Sequence, residues 1–166
     1  MKTPEELQVL RRRAEEAVAG VADPELPFLT IGDLGILRGV SVHDGLVEVA
    51  ITPTYSGCPA MDLIGLEIAT ALARAGIEDA RVRTVLAPAW TTDWMTEAAR
   101  AKLAEAGIAP PPQGAGRGAL FEATSPRCPR CGGERTSRIS EFGSTACKAL
   151  HRCLDCQEPF EAFRCH

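Results

Sequence analysis

LVEVAITPTYSGCPAMDLIGLEIATALARAG, residues 46–76, changes its hydrophobic period once, and the fold class turns on where it does so. From Leu46 to Ile51 apolar and polar residues alternate, the two-residue period of a half-buried strand. From Met61 to Ala75 the apolar residues Ile64, Ile68, Leu72 and Ala75 form one stripe, with Asp62, Glu67, Thr70 and Arg74 largely outside it, and Gly76 ends the helix. Cys58 lies at the handover, in TPTYSGCPA, between a glycine and a proline.

Upstream, Ile36, Val40 and Val42 share a period-2 face, and His43-Asp44-Gly45 supplies a tight turn into Val47, Val49 and Ile51, which predicts a β-hairpin. DPELPFLTIGDLG, 23–35, is too dense in proline and glycine for a regular element and reads as an ordered, carboxylate-rich loop. Thr3-Pro4-Glu5-Glu6 combines an N-cap, a proline at the first helical position and a Glu three residues after the cap, so a helix starts there and Gly20 stops it. Downstream, ARVRTVLA at 80–87 predicts a third strand, parallel to the second through a right-handed crossover. WTTDWMTEAARAKLAEAG predicts a short helix ending at Gly107.

Helix, strand, strand, helix, strand, helix gives a small mixed three-stranded sheet with covering helices, of α/β or α+β class. This domain is expected over residues 1–107. Residues 107–127 hold four prolines and four glycines in 21 residues, so 108–127 reads as a linker, and 128–166 as a separate cysteine-rich tail.

The chain has 166 residues, 45% hydrophobic and 24% charged, ordinary for a globular protein. No apolar run approaches the ~18 residues that span a bilayer, and MKTPEELQVLRRRAEE has no apolar signal region, so the expected location is the cytoplasm, away from membrane. Residues 1–107 carry 10 Lys and Arg against 16 Asp and Glu. That acidic balance repels phosphate backbones, and no nucleic-acid partner is expected.

Seven cysteines in a cytoplasmic chain argue for metal or reactive thiols rather than disulfides. Cys128-Pro-Arg-Cys131 and Cys153-Leu-Asp-Cys156 form two CxxC knuckles separated by 21 residues. Each two-residue gap lets both sulfurs face one ion, and two knuckles complete a tetrahedral thiolate site. A tail this small buries little core and gains its fold from the metal. Zinc is the expected ion, with a redox iron site as the alternative. Cys147, Cys165 and His166 are additional candidates that substitute for a knuckle cysteine, build a second site or stay inert; for Cys147, beside Lys148, a partly exposed thiol of lowered pKa and a plainly packed side chain stand as equal alternatives.

If Pro59 takes the first helical position, Cys58 becomes the N-cap residue, where unsatisfied N–H groups and the helix dipole favour thiolate over thiol. Such a cysteine is a nucleophile or a soft-metal ligand. The alternative is a buried, unreactive thiol.

DPELP at 23–27, TIGDLGIL at 30–37 and TPTYSGCPAMDLIG at 52–65 resemble the iron–sulfur assembly domain of bacterial SufT-type proteins and eukaryotic cytosolic cluster-targeting factors. With PAWTTDWMTEAARAKL at 88–103, CPRCGG at 128–133, FGSTACKALHRC at 142–153 and EPF at 158–160, the whole chain resembles the PaaD family, accessory proteins of the phenylacetyl-CoA epoxidase of aerobic phenylacetate degradation. The resemblance implies a non-catalytic role in maturing the oxygenase system, by supplying or inserting an iron–sulfur cluster into its reductase component. It also implies that Asp23, Glu25, Thr54 and Cys58 line the site, with Asp33 less central.

A cluster normally takes four protein ligands, so Cys58 needs others. They come from Cys58 of a second subunit in a homodimer, from Cys147 or Cys165, or from the client, whether oxygenase or reductase. Two alternatives stand beside delivery of a transient cluster or iron: a structural subunit bound stably to the oxygenase, and a cysteine-dependent transferase using Cys58.

Overall fold

The computed structural model describes residues 3–114 and 125–164. By contacts the chain divides into two compact units, Met1–Trp90 and Thr91–His166.

In the first unit, helix α1, Pro4–Ala19, opens with the reciprocal cap read from its sequence: Thr3 Oγ1 accepts from the Glu6 N–H, and the Glu6 carboxylate accepts from the Thr3 N–H. Strands β1, Leu37–His43, and β2, Leu46–Ile51, pair antiparallel around Asp44 and Gly45. Both turn residues have positive φ, 52° and 91°, as a two-residue turn matched to strand twist requires. A bulge between Leu37 and Gly39 shifts the register of β1.

Helix α2, Ala60–Arg74, then carries the chain to β3, Ala80–Thr84, which lies parallel to β2, so β2 is the centre of a mixed three-stranded sheet. The third strand is shorter than its 80–87 reading because β2 ends at Ile51; beyond the Val85 N–H, which donates to Ile51 O, no ladder partner continues. Gly76 at φ 73° ends α2 as expected, with its N–H on Ala73 O and the Ile77 N–H on Leu72 O, two hydrogen bonds that close the helix C-terminus. Val18, Val47, Val49, Ile51, Ile64, Ile68 and Leu72 are fully buried.

The 23–35 segment is ordered without being a helix or strand. Leu26, Leu29, Ile31 and Leu34 anchor it in the core, Ala22 bridges Thr30, and the buried Trp90 indole donates to Leu34 O at 2.9 Å.

The second unit begins with a 3-10 turn at Thr92–Trp94 and helix α3, Glu97–Glu105, capped by Thr96. Strands β4, Ile108–Ala109, β5, Thr136–Ser140, β6, Lys148–Cys153, and β7, Pro159–Phe163, form a sheet ordered β4-β7-β6-β5. A first domain closing at residue 107 differs from this contact division, which groups α3 with the ribbon and makes a strand of Ile108–Ala109. Arg100 is a physical reason: buried in α3, it donates to Thr92 O at 2.7 Å and to Pro111 O, tying the helix to the segments on either side of it.

The burial of α2 makes a simple expectation. Ile68→Ala should cost about 2–5 kcal/mol in denaturant unfolding, since it opens a void beneath a fully buried side chain. Leu66→Ala, at a position 62% exposed on the same helix, should stay within about 0.5 kcal/mol of wild type.

Candidate functional site

Two clusters of chemistry-bearing side chains occur among the described residues, one in each unit. In the first unit, Cys58 sits in the turn between β2 and α2, half-buried, with its N–H on Tyr55 O at 3.2 Å and its carbonyl accepting from Met61 at 3.3 Å. The helix starts at Ala60, and Pro59, at φ −69° and ψ −18°, occupies the N-cap position without a side-chain cap. This corrects the reading of Cys58 as the N-cap: the tight turn places Cys58 one residue further out. Its sulfur still reaches the helix end, where it accepts from the Ala60 N–H, and the Tyr55 hydroxyl also stabilises its anion.

These donors do not make Cys58 a resting thiolate. Burial raises the thiol pKa above its ordinary value, and the negative charges of Glu25 and Asp23 raise it further, outweighing the two hydrogen bonds. The expectation of a dipole-stabilised thiolate is therefore corrected, because a single N–H at the helix end competes with desolvation and two like charges. Glu25 and Asp23 thus lie near enough to Cys58 for their charges to act on its thiol.

Asp23 is buried, and burial raises its pKa despite hydrogen bonds from the Leu26 and Glu25 N–H groups at 2.8 and 2.9 Å. Those bonds form a local turn that aims the backbone of the loop. Thr54 is buried within the turn that joins β2 to α2. Asp33 acts on its own loop, where Oδ2 accepts from the Thr30 N–H at 3.1 Å and Thr30 Oγ1 accepts from the Asp33 N–H at 3.0 Å.

In the ribbon, the sulfurs of Cys128, Cys131, Cys153 and Cys156 all lie within 4.8 Å of one another. Cys128 and Cys156 are 3.8 Å apart, and Cys131 and Cys153 are 3.6 Å apart. A tetrahedron with metal–sulfur bonds of about 2.3 Å has edges of about 3.8 Å, so the four thiols already have the shape of a tetrathiolate metal site. Gly133 and Asp155 each donate an N–H at 3.4 Å to the knuckle sulfurs Cys131 and Cys153.

The thiols ionise unequally. Cys153 is drawn down to about 7, chiefly by the Cys156 N–H. Cys131 is favoured as a thiolate by the Gly133 N–H, yet contacts with Cys156 and Cys153 push it up to about 12. Anions crowded at this spacing need a cation among them. Cys128 and Cys153 also belong to the ribbon's small core with Ala109, Phe160 and Ala162.

The additional ligand candidates fare differently. Cys147 is buried rather than partly exposed, its sulfur 3.0 Å from Thr145 Oγ1, and the neighbouring Lys148 ammonium is held by Glu161 at 3.0 Å. It does not join the four-sulfur group. Cys165 and His166 lie outside the described residues. Apart from these candidates, His151 on β6 stacks on Phe160 with ring centroids 5.7 Å apart, and burial, then Arg138, lowers its pKa.

Sequence reasoning missed the Lys148–Glu161 pair, which binds the 143–147 loop to β7. Glu161 also accepts from the Ser144 N–H, and a Cβ on Gly143 would stand 2.5 Å from Glu161 Oε1, so the glycine permits this closure. The glycine is visible in the sequence, but its distant partner on β7 is not.

Comparison with known proteins follows the same division. Residues 11–88 match the family model described as iron-sulfur cluster assembly protein, and residues 112–164 match the PaaD zinc beta ribbon domain. Over 149 residues, 87% of either chain, the protein is 50% identical to one from Escherichia coli (strain K12) whose name makes it a subunit of 1,2-phenylacetyl-CoA epoxidase. It is 35% identical over 98 residues, 58% of this chain and 95% of the relative, to the Fe-S protein maturation auxiliary factor YitW of Bacillus subtilis (strain 168). A crystal structure of the DUF59 domain of unknown function from Bacillus anthracis covers 61% of this chain and 97% of its own, at TM-score 0.55 and 23% identity, which bears on the fold alone. No helix among the described residues is long and apolar enough to cross a membrane.

Two outcomes check the site. Cys128→Ser, or stripping the protein with a thiol-competitive chelator, should remove the ribbon's metal and open residues 128–163 to trypsin while the first unit stays protected. In the metal-free protein, alkylation of Cys58 followed against pH should have its midpoint above that of an unperturbed cysteine, and Glu25→Gln should move the midpoint down, because one of the charges opposing ionisation is gone.

Proposed function

We propose, from the premise that the chain belongs to the PaaD family of phenylacetyl-CoA epoxidase proteins, that it is an accessory protein that matures this oxygenase by holding iron or an iron–sulfur cluster at Cys58 and passing it to the reductase component. The observation that carries this reading is the juxtaposition of a half-buried thiol with two carboxylates, Asp23 and Glu25. A positively charged cargo relieves that like-charge crowding and takes the thiolate as a soft ligand.

One cysteine and two carboxylates do not complete the coordination of a cluster. The remaining ligands come from the receiving protein or from a second copy, which makes the bound state incomplete and therefore transferable. That suits a carrier, and the names of the relatives as Fe-S protein maturation factors support it. Zinc is the metal of the ribbon in this reading, on the strength of the four-thiolate tetrahedron and the zinc beta ribbon match. Its place is structural, since it substitutes for the core that a short ribbon lacks.

A second reading, a permanently bound structural subunit of the oxygenase, is favoured by the name of the Escherichia coli relative, which counts it among the epoxidase subunits. A cysteine-dependent transferase is disfavoured, because its nucleophile needs a thiolate at neutral pH and here burial and two anions oppose one.

The test is anaerobic activation of cluster-free reductase by purified wild type, Cys58→Ala and Cys128→Ser, with iron, zinc and sulfide measured on each. Cys58→Ala should keep one zinc per chain and its folded ribbon yet lose cluster transfer, whereas Cys128→Ser should lose the zinc. Full transfer by Cys58→Ala excludes the carrier, and co-purification with the oxygenase at fixed stoichiometry independent of Cys58 establishes the structural reading instead.

A further inference from the structure

The two knuckles of the ribbon are joined by more than their sulfurs. Arg135, immediately before β5, bonds to both residues that separate the cysteines of the second knuckle. Its carbonyl accepts from the Leu154 N–H at 2.7 Å, and its guanidinium donates to Asp155 Oδ1, through Nε at 2.8 Å and again through Nη2. Asp155 in turn lies against the first knuckle. A Cβ on Gly133 would stand 2.5 Å from Asp155 Oδ2 and 3.2 Å from Cys131 Sγ, so the carboxylate fills the space that a side chain at this glycine would need.

The contacts continue to the sulfurs. The Asp155 N–H donates to Cys153 Sγ and the Gly133 N–H to Cys131 Sγ, each at 3.4 Å, while the Gly133 carbonyl accepts from the Cys128 N–H at 2.9 Å. Cys131 Sγ and Cys153 Sγ, one from each knuckle, are themselves 3.6 Å apart. The residues whose N–H groups aim these two sulfurs are therefore the ones that the Asp155 carboxylate packs together.

Neither stability nor charge accounts for an acidic residue at this place. The Arg135 side chain is 73% exposed, and an exposed ion pair adds little to folding. Four thiolates around a divalent ion leave the site net negative, which a neighbouring carboxylate opposes on charge alone. What the pair supplies is a fixed relation between the two halves of a metal site, the role that outer-shell partners of metal ligands commonly have.

We propose that Arg135 and Asp155 are positioning residues of the ribbon's metal site, a clasp that holds the second knuckle over the first and so prolongs the stay of the ion that all four cysteines share. The proposal rests on the reading of that ion as zinc. Opening the site means lifting Leu154 and Asp155 off Arg135, so the rate at which zinc leaves is set at the clasp as well as at the sulfurs.

The experiment loads full-length protein with zinc and measures its affinity by competition with a chromogenic chelator, together with the rate of release. Asp155→Ala and Arg135→Ala should each weaken zinc binding roughly tenfold or more and speed its release. The double substitution should do no more than the stronger single one, because both remove the same contact. Arg127→Gln, which breaks the exposed Arg127–Glu134 pair beside the first knuckle alone, should leave the affinity unchanged. Variants purified without zinc are reloaded by titration, and saturating cobalt in its place should give all of them a four-thiolate spectrum. Zinc held as tightly or more tightly by Asp155→Ala overturns the proposal, since the carboxylate then acts only through its charge. Effects of the two substitutions that multiply, or a loss in Arg127→Gln as large as theirs, overturn it too. Loss of four-thiolate ligation in saturating cobalt assigns the pair to folding of the ribbon and overturns its role as a clasp. Wild type that takes up no zinc overturns the clasp and the zinc assignment together.

Discussion

The charge around the Cys58 sulfur is the constraint on which the rest depends. Strand β2 ends, the chain turns through residues 52–59, and α2 begins, so the cysteine is held against the helix start by the Ala60 N–H and the Tyr55 hydroxyl. The loop carrying Asp23 and Glu25 is fastened by four buried apolar side chains and by Trp90, and its carboxylates are near enough for their charges to act on the sulfur. A helix N-terminus alone would have made a nucleophile. Partial burial, with two nearby anions adding to it, instead holds the thiol above its ordinary pKa.

The ribbon solves a different problem. Its buried cluster of Ala109, Phe160, Ala162 and two cysteines is too small to hold four strands by hydrophobic burial, and the four thiols at tetrahedral spacing supply the missing cohesion through an ion. Arg100 and the Lys148–Glu161 pair finish the unit by satisfying carbonyls and closing a loop. The thiols thus fall into two arrangements: four placed at the spacing that one ion would share, and one that stands apart from them.

Much of this is legible in residue order, because the signals are local. The period change between Ile51 and Met61, the Thr3–Glu6 cap, the Asp44-Gly45 turn and the two CxxC knuckles each express a rule acting over a few residues, and the structure follows them. What is not legible depends on distant partners. Of the two readings of Cys147 the packed one holds, because Lys148 turns to Glu161 and Thr145 folds back on the sulfur. The ionisation of Cys58 runs opposite to expectation chiefly because the fold half-buries the sulfur, with Glu25 and Asp23, more than thirty residues away, adding to the effect. The shift of the helix start from Pro59 to Ala60 is a single residue in sequence; it moves Cys58 out of the N-cap position yet leaves its sulfur on the Ala60 N–H.

The most direct measurement of Cys58 as an iron ligand is iron K-edge X-ray absorption on zinc-loaded protein given one equivalent of ferrous iron without oxygen, compared with Cys58→Ser. Wild type should show an iron–sulfur scattering shell together with oxygen neighbours, the sulfur shell vanishing in the variant while zinc is retained. An identical iron environment in the two proteins would contradict a cargo site at this cysteine.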